Sequence, residues 1–478
     1  MIKTKILATV GPACSSDEPL AAMFDAGLDL VRLNFSHGAL ADHTVALERV
    51  RRVARECGAT VAVVGDLCGP RVRVGAIADG QCELHQDQHL VIQRAACDGT
   101  AERISTNHPA IIDDVAVGDR ILIDDGLICL GVVDKSADEL VCRVQVGGAL
   151  RGNKGINLPD SALSTPSLTD KDLIDLDWAI ANDLDYVALS FVRSPEDIYE
   201  LRRHLKERHS EMDVIAKIEK PEALSHLDEI IEHSDAVMVA RGDLGVEMDA
   251  ARVPLIQKDI VLRCRRFNVP VIIATQMLQS MVDAPVPTRA EVNDVANAIL
   301  DGTDVVMLSA ETSVGSHPAK AVAMMNRIAA ETEAFLARTS PPWEPDAASA
   351  PLRVTWAVVH GAQVLAHELG ARLVGVWTES GFTARLLSKR RLAQTIVGLS
   401  ADERVCRRMC LYYGVVPMQA PRPVDDGEML EQLDRAFVQR GLADQNDLIV
   451  VAAGTRLREP GATNALLIHL VGTTQPSV

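Results

Sequence analysis

Eight short apolar runs, amphipathic stretches between them and a polar residue at almost every run's end predict an α/β chain built on a closed (β/α)8 barrel. The runs are Ile6–Gly11, Leu28–Ser36, Val61–Leu67, Tyr186–Val192, Val214–Glu219, Ala236–Asp243, Val271–Gln276 and Asp304–Ser309. Most are continuous in Val, Ile, Leu and Ala rather than alternating, as strands covered on both faces are. In such a barrel the chemistry sits at the C-terminal ends of the strands. Those ends collect Asn34, Ser36, Asp66, Lys217, Glu219, Arg241, Asp243, Thr275 and Ser309, with Glu311 just beyond.

The rhythm breaks once. After Asp66–Leu67 come Arg71–Gly75, Gln88–Gln93, Arg120–Ile123, Leu127–Val133 and Glu139–Val144, short β-branched segments separated by Asp-Gly and Val-Gly turns. They predict an all-β insertion over residues 68–165, a small β-barrel domain placed to act as a lid over the mouth of the (β/α)8 barrel. The barrel, begun in 1–67, resumes with a helix over Thr169–Asn182 and closes with a helix from about Pro318 to Arg338, giving 166–340. Ser340–Pro351 reads as a linker. Beyond it, 351–478 alternates strands (Leu373–Thr378, Thr395–Leu399, Val415–Met418, Leu448–Ala453, Ala465–Val471) with helices, predicting a second α/β domain with one edge hairpin.

Acidic residues outnumber basic ones, 66 against 48, for a formal charge of −18. That balance disfavours nucleic-acid and anionic-membrane partners and suits cations such as Mg²⁺. No leader-like segment precedes the first strand, and no apolar run is long enough to span a bilayer, so a cytoplasmic chain is expected. The ten cysteines show no metal-type doublet, and Cys406 and Cys410, four apart in one predicted helix, read as reduced thiols.

Lys217 and Glu219 stand two apart at a strand end, so both leave the same face. One strand later Asp243 adds a carboxylate beside a glycine turn that can open a short helix. Glu219 and Asp243 therefore suit a Mg²⁺ or Mn²⁺ ion. Arg32 suits phosphoryl oxygens, while Asn34, Ser36 and Asp66 offer oxygens to a cation. Thr275 brings a hydroxyl into the mouth.

The runs Thr4–Pro12, Val31–Gly38, Ile123–Leu127, Lys154–Pro159, Ala216–Glu219, Ala240–Gly245, Ala274–Met277, Pro287–Glu291 and Met307–Thr312 together resemble the pyruvate kinase family, in family order over nearly the whole chain. The resemblance implies phosphoryl transfer from phosphoenolpyruvate to ADP. It implies that Arg32 and Lys217 hold the substrate, whose carboxylate would sit on the Gly242 and Asp243 amides and the Thr275 hydroxyl. Thr275, Ser309 and Glu311 would relay a proton. Asn34, His37, Arg73 and Lys154 would approach the nucleotide, with Asp125 a lid carboxylate. A homotetramer is implied as well.

Many members of that family require K⁺. Asn34, Ser36 and Asp66 match its site, but Leu67 and Arg71 stand where the family has Thr and Glu, and Val74 replaces a Thr. The pattern resembles the K⁺-independent branch, with Arg71 as an internal cation and the remaining ligands vestigial. In the C-terminal domain Thr378, Ser380 and Thr383 at a strand-to-helix junction match a region where the family binds sugar-phosphate effectors. Glu379 there opposes an anion. A Mg²⁺-dependent aldolase and a catalytically retired sensor are the other readings of the same residues. The first would form pyruvate without ADP, and the second is disfavoured by Lys217, Glu219, Asp243 and Thr275 all being present.

Overall fold

The computed structural model describes residues 2–161, 163–339, 353–454 and 463–473. The eight apolar runs form β1 (Lys5–Thr9), β2 (Leu30–Asn34), β3 (Ala62–Asp66), β4 (Tyr186–Leu189), β5 (Asp213–Ile218), β6 (Ala236–Ala240), β7 (Val271–Ala274) and β8 (Val305–Leu308). All neighbours pair in parallel, and β1 closes on β8 with Lys5 opposite Val305. Both faces of these strands are covered, which is why the runs do not alternate. Leu7, Leu30, Val64, Tyr186, Ile215, Met238 and Ile272 fill the interior, while Ile6, Val31, Val63 and Val214 pack under the helices.

Local signals set the helix starts. Thr169 accepts from the Asp172 amide and Asp172 accepts from Thr169 in return, opening the helix Asp170–Ala181. Thr288 and Glu291 do the same for Arg289–Asp301, which ends on left-handed Gly302.

Between β3 and β4 a six-stranded sheet and a two-stranded one form the insertion. Arg71–Gly75, expected as a strand, makes only isolated bridges, Arg73 to Gly155 and Val74 to Thr106. Gln81–Leu84, Arg103–Ser105, Gly148–Arg151 and Ile156–Asn157 are strands that the sequence pattern did not mark, being two to four residues long. The expected linker 340–351 lies outside the described residues.

The C-terminal sheet runs Val415–Gln419, Thr395–Ser400, Leu373–Trp377, Leu448–Ala453, Ala465–Leu470, with only the last pairing antiparallel. This domain docks on the N-terminal end of the barrel, away from the strand ends named above. Tyr186 Oη donates to Arg408 O at 2.7 Å, and Lys389 Nζ lies 2.7 Å from buried Asp304. Cys410 Sγ donates to Thr60 O at 3.4 Å from the helix C-cap, just past the helix Glu403–Met409 that holds Cys406.

Candidate active site

Inward parity along β2, β3 and β5 puts Leu30, Val64 and Ile215 in the barrel core. The same parity carries Arg32, Asp66 and Lys217 to its C-terminal mouth. Arg32 Nε donates to Asp66 Oδ2 at 2.6 Å and its NH1 to Thr9 Oγ1 at 3.0 Å. Lys217 Nζ donates to Ser190 Oγ at 2.7 Å and lies 2.9 Å from Glu219 Oε1. It is 3.2 Å from Asp66 Oδ1, a buried oxygen that makes this ion-pair contact without an aligned hydrogen bond.

Burial would lower the Lys217 pKa, but Asp66 and Glu219 outweigh it and hold the ammonium above the usual lysine value. Burial would likewise raise Asp66, yet Lys217 and Arg32 pull it below the usual carboxylate range. Glu219 goes the other way. Burial raises its pKa, Lys217 opposes the rise and the Asp243 carboxylate adds to it. Two carboxylates repelling each other at one cavity form the donor set that a hard divalent cation neutralises, so Glu219 and Asp243 fit Mg²⁺ or Mn²⁺. Among the described residues no group of three or more His, Cys, Asp and Glu could hold a metal.

The run expected as strand through Asp243 stops at Ala240, and Arg241–Glu247 is a helix. The register explains Arg241. It leaves the cavity, pairs with Asp294 at 2.7 Å and donates to Thr275 O at 2.9 Å, bracing the β7 end. Gly242 N donates to Thr275 Oγ1 at 2.7 Å, and a Cβ at Gly242 would lie 3.3 Å from that oxygen. Thr275 is held at φ 69°, with Gln276 at 54° and Phe191 at 55°. A β-branched residue there is an outlier that stores roughly 1–3 kcal/mol of strain, a feature of functional sites.

Arg32, Asn34, Ser36, Asp66, Arg71, Lys217, Glu219, Asp243, Thr275 and Ser309 all line one cavity of about 210 Å³. Ser190 and Phe191 line it too. Sequence reasoning missed both, although they follow β4 as the other site residues follow their strands. Ser309 Oγ is buried without a hydrogen-bond partner. Glu311 is not brought to this cavity. It is fully buried, and its carboxylate accepts from Leu278 N at 3.0 Å and Ser309 N at 2.7 Å, tying the ends of β7 and β8 together.

The residues assigned to the nucleotide flank the cavity from two sides. Asn34 and His37 line an adjoining groove of about 920 Å³ that also touches Arg32, Pro12, Arg49 and Ser309. Arg73, Lys154 and Asp125 line a cavity of about 250 Å³ under the insertion, which shares Arg71, Phe191 and Asp243 with the central one. Burial, then the charges of Arg73, Arg71 and Arg32, push the His37 pKa down. Lys154 pairs with Asp124 at 2.9 Å rather than with Asp125.

At the K⁺-type position Asn34 Oδ1 accepts from Ser36 N at 3.1 Å, and Leu67 is buried. Arg71 NH2 lies 3.3 Å from Asp243 Oδ1. Burial would lower the Arg71 pKa, but Asp243 and Glu219 raise it.

In the C-terminal domain the hydroxyls are locally engaged. Thr378 Oγ1 accepts from Gly381 N at 2.9 Å, Thr383 Oγ1 meets Thr463 Oγ1 at 2.5 Å and Ser380 Oγ accepts from Phe382 N at 3.4 Å. Glu379 pairs with Arg422 at 2.5 Å.

Residues 1–322 match the family model "Pyruvate kinase, barrel domain" and 356–469 match "Pyruvate kinase, alpha/beta domain". A pyruvate kinase of Geobacillus stearothermophilus is 42% identical, over 98% of this chain and 80% of that protein. One of Mycobacterium intracellulare is 40% identical over 98% of both. The crystal structure of a pyruvate kinase from Cryptosporidium parvum superposes with a TM-score of 0.91 at 34% identity, covering 98% of this chain and 96% of the other. Two domain matches in order and near-complete coverage lead to one conclusion: this chain belongs to the pyruvate kinase family.

Proposed function

We propose that the chain transfers the phosphoryl group of phosphoenolpyruvate to ADP and protonates the resulting enolate, giving pyruvate and ATP. The observation that carries this reading is the convergence of Arg32, Lys217, Glu219, Asp243 and Thr275 on one cavity of about 210 Å³. That is below the roughly 300–1,000 Å³ of drug-sized ligand pockets and suits a small polar substrate.

Phosphoryl transfer is governed by positioning and by neutralising spread negative charge. Arg32, already oriented by Asp66 and Thr9, holds the phosphoryl oxygens. Lys217, fixed by Ser190, Glu219 and Asp66, faces the oxygen that becomes an enolate. At about 4 Å and an effective dielectric of 20 such an ammonium is worth about 4 kcal/mol. The Asp243 amide receives the substrate carboxylate, joined by the Gly242 amide and the Thr275 hydroxyl once they release the bonds they make to each other and to Ala274 O. Thr275 and Ser309 relay a proton from water to carbon, and Glu311 keeps Ser309 in place through its backbone amide. Mg²⁺ or Mn²⁺ on Glu219 and Asp243 supplies charge neutralisation when bound. The groove beside Asn34 and His37 accepts the nucleoside, and Arg73, Lys154 and Asp125 approach its phosphates from the insertion, which acts as the lid.

Arg71 makes the enzyme independent of K⁺. The reaction places the chain in cytoplasmic glycolysis, and family likeness supports a homotetramer and a sugar-phosphate or nucleotide effector near Thr378, Ser380 and Thr383. A coupled assay with phosphoenolpyruvate, ADP and Mg²⁺ tests the reading. ADP-dependent pyruvate formation is expected, and pyruvate formed without ADP, or none at all, overturns it.

A further inference from the structure

Glu247 ends the helix Arg241–Glu247, and only 3% of its surface is exposed. Its Oε1 accepts two hydrogen bonds from different parts of the chain. One comes from Asn157 Nδ2 of the insertion at 2.8 Å, the other from Lys220 Nζ, next to Glu219, at 2.7 Å. Its Oε2 is buried without a partner. At the other end of the helix Asp243 takes Arg71 at 3.3 Å. Among the described residues these two, from Asn157 and Arg71, are the hydrogen bonds that reach the helix from the inserted segment, one at each end.

We propose that Asn157, Glu247 and Lys220 form a latch through which the closed position of the insertion sets the Gly242–Asp243 end of the helix. A buried carboxylate with one oxygen already unsatisfied is poorly able to lose a second partner. Opening the insertion takes Asn157 away and leaves Lys220 alone on Glu247. The closed arrangement is therefore favoured by about ten- to a hundredfold, the worth of a hydrogen bond to a charged group. Lys220 ties the same carboxylate to the β5 end, so closure, the Asp243 helix and the Glu219 strand end move as one unit. Glu247 is a positioning residue, since it acts through Asp243 and Gly242. The structural claim stands on these contacts, and its kinetic consequence rests on the phosphoryl-transfer reading above.

The test uses the full-length chain carrying Asn157→Ala or Asn157→Asp, both of which leave the Lys220–Glu247 ion pair in place. Hydrogen exchange is followed without substrates over 156–157 and 243–247, and KM is measured separately for ADP and phosphoenolpyruvate. Asn157→Ala is expected to speed exchange at both segments and raise the KM for ADP about tenfold, more than that for phosphoenolpyruvate, with the fold retained and Tm slightly lowered. Asn157→Asp, which sets two carboxylates together, should be worse in both readouts. Exchange at 243–247 unaltered by Asn157→Ala, or Asn157→Asp no worse than Asn157→Ala, overturns the latch. A wild-type chain inactive toward phosphoenolpyruvate and ADP would remove the phosphoryl-transfer reading instead, while the exchange data still decide the latch.

Discussion

The guanidinium of Arg71 stands 3.3 Å from the carboxylate of Asp243, joining two residues 172 positions apart in the chain. Leu67, at the K⁺-type position, is buried and its side chain offers no oxygen to an ion. Turnover in Mg²⁺ buffer free of K⁺ is expected to match turnover with K⁺ added. Arg71→Gln should lower K⁺-free kcat about tenfold, a loss of ~1.4 kcal/mol, with partial recovery on adding K⁺. Near-zero wild-type activity that K⁺ rescues would refute the internal-cation role.

Lys217→Met keeps the stem of the side chain and removes its charge. With about 4 kcal/mol of enolate stabilisation lost, kcat should fall on the order of a thousandfold. Lys217→Arg should not recover it, because a guanidinium does not fit the three-way contact with Ser190, Glu219 and Asp66. Steady-state kinetics at saturating substrate measure this, and a kcat within tenfold of wild type would exclude the assigned role.

Thr275 combines a strained backbone with a hydroxyl bonded to Gly242 N. Thr275→Ser retains the hydroxyl and relieves β-branching at positive φ, so activity should persist with unchanged or slightly raised Tm. Thr275→Val keeps shape and strain but strands the Gly242 amide, and kcat should drop on the order of a hundredfold. Equal activities for the two variants would remove Thr275 from the proton path.

Asp185, fully buried where the barrel meets the C-terminal domain, has its pKa pushed up to about 6 by burial, against the pull of Arg407 at 2.8 Å, the Val63 amide and Arg51. Between its ordinary value near 3.8 and about 6, the folded chain holds a proton there that the unfolded chain has released. Its contribution to stability is thus present at the acid end and is lost as pH rises through that window. Asp185→Asn should flatten the pH dependence of Tm between about pH 4 and 6. An unaltered slope would show that Arg407 keeps Asp185 ionised throughout.

Much of the site was readable in one dimension. Strand ends announce themselves where an apolar run meets Asn34, Asp66, Lys217 or Ser309, and all four line the central cavity. Arg241 and Glu311 carried the same mark and turned out to be braces, because helix register after Ala240 and the demand of two buried amides took them out of the mouth. Ser190 and Phe191 escaped notice because a serine and a phenylalanine after a strand are ordinary. In the insertion, strands of two to four residues are too short for a period to show.

Fold class, domain order and the polar rim of the barrel were legible from the string of residues, since periodicity, capping and turn chemistry act over a few neighbours. Which charges meet was settled by folding. Arg71 with Asp243, Asn157 with Glu247 and Arg407 with Asp185 are separated by 172, 90 and 222 positions. No local pattern encodes those pairings, because they follow from how a closed barrel, its insertion and its C-terminal domain share one buried volume.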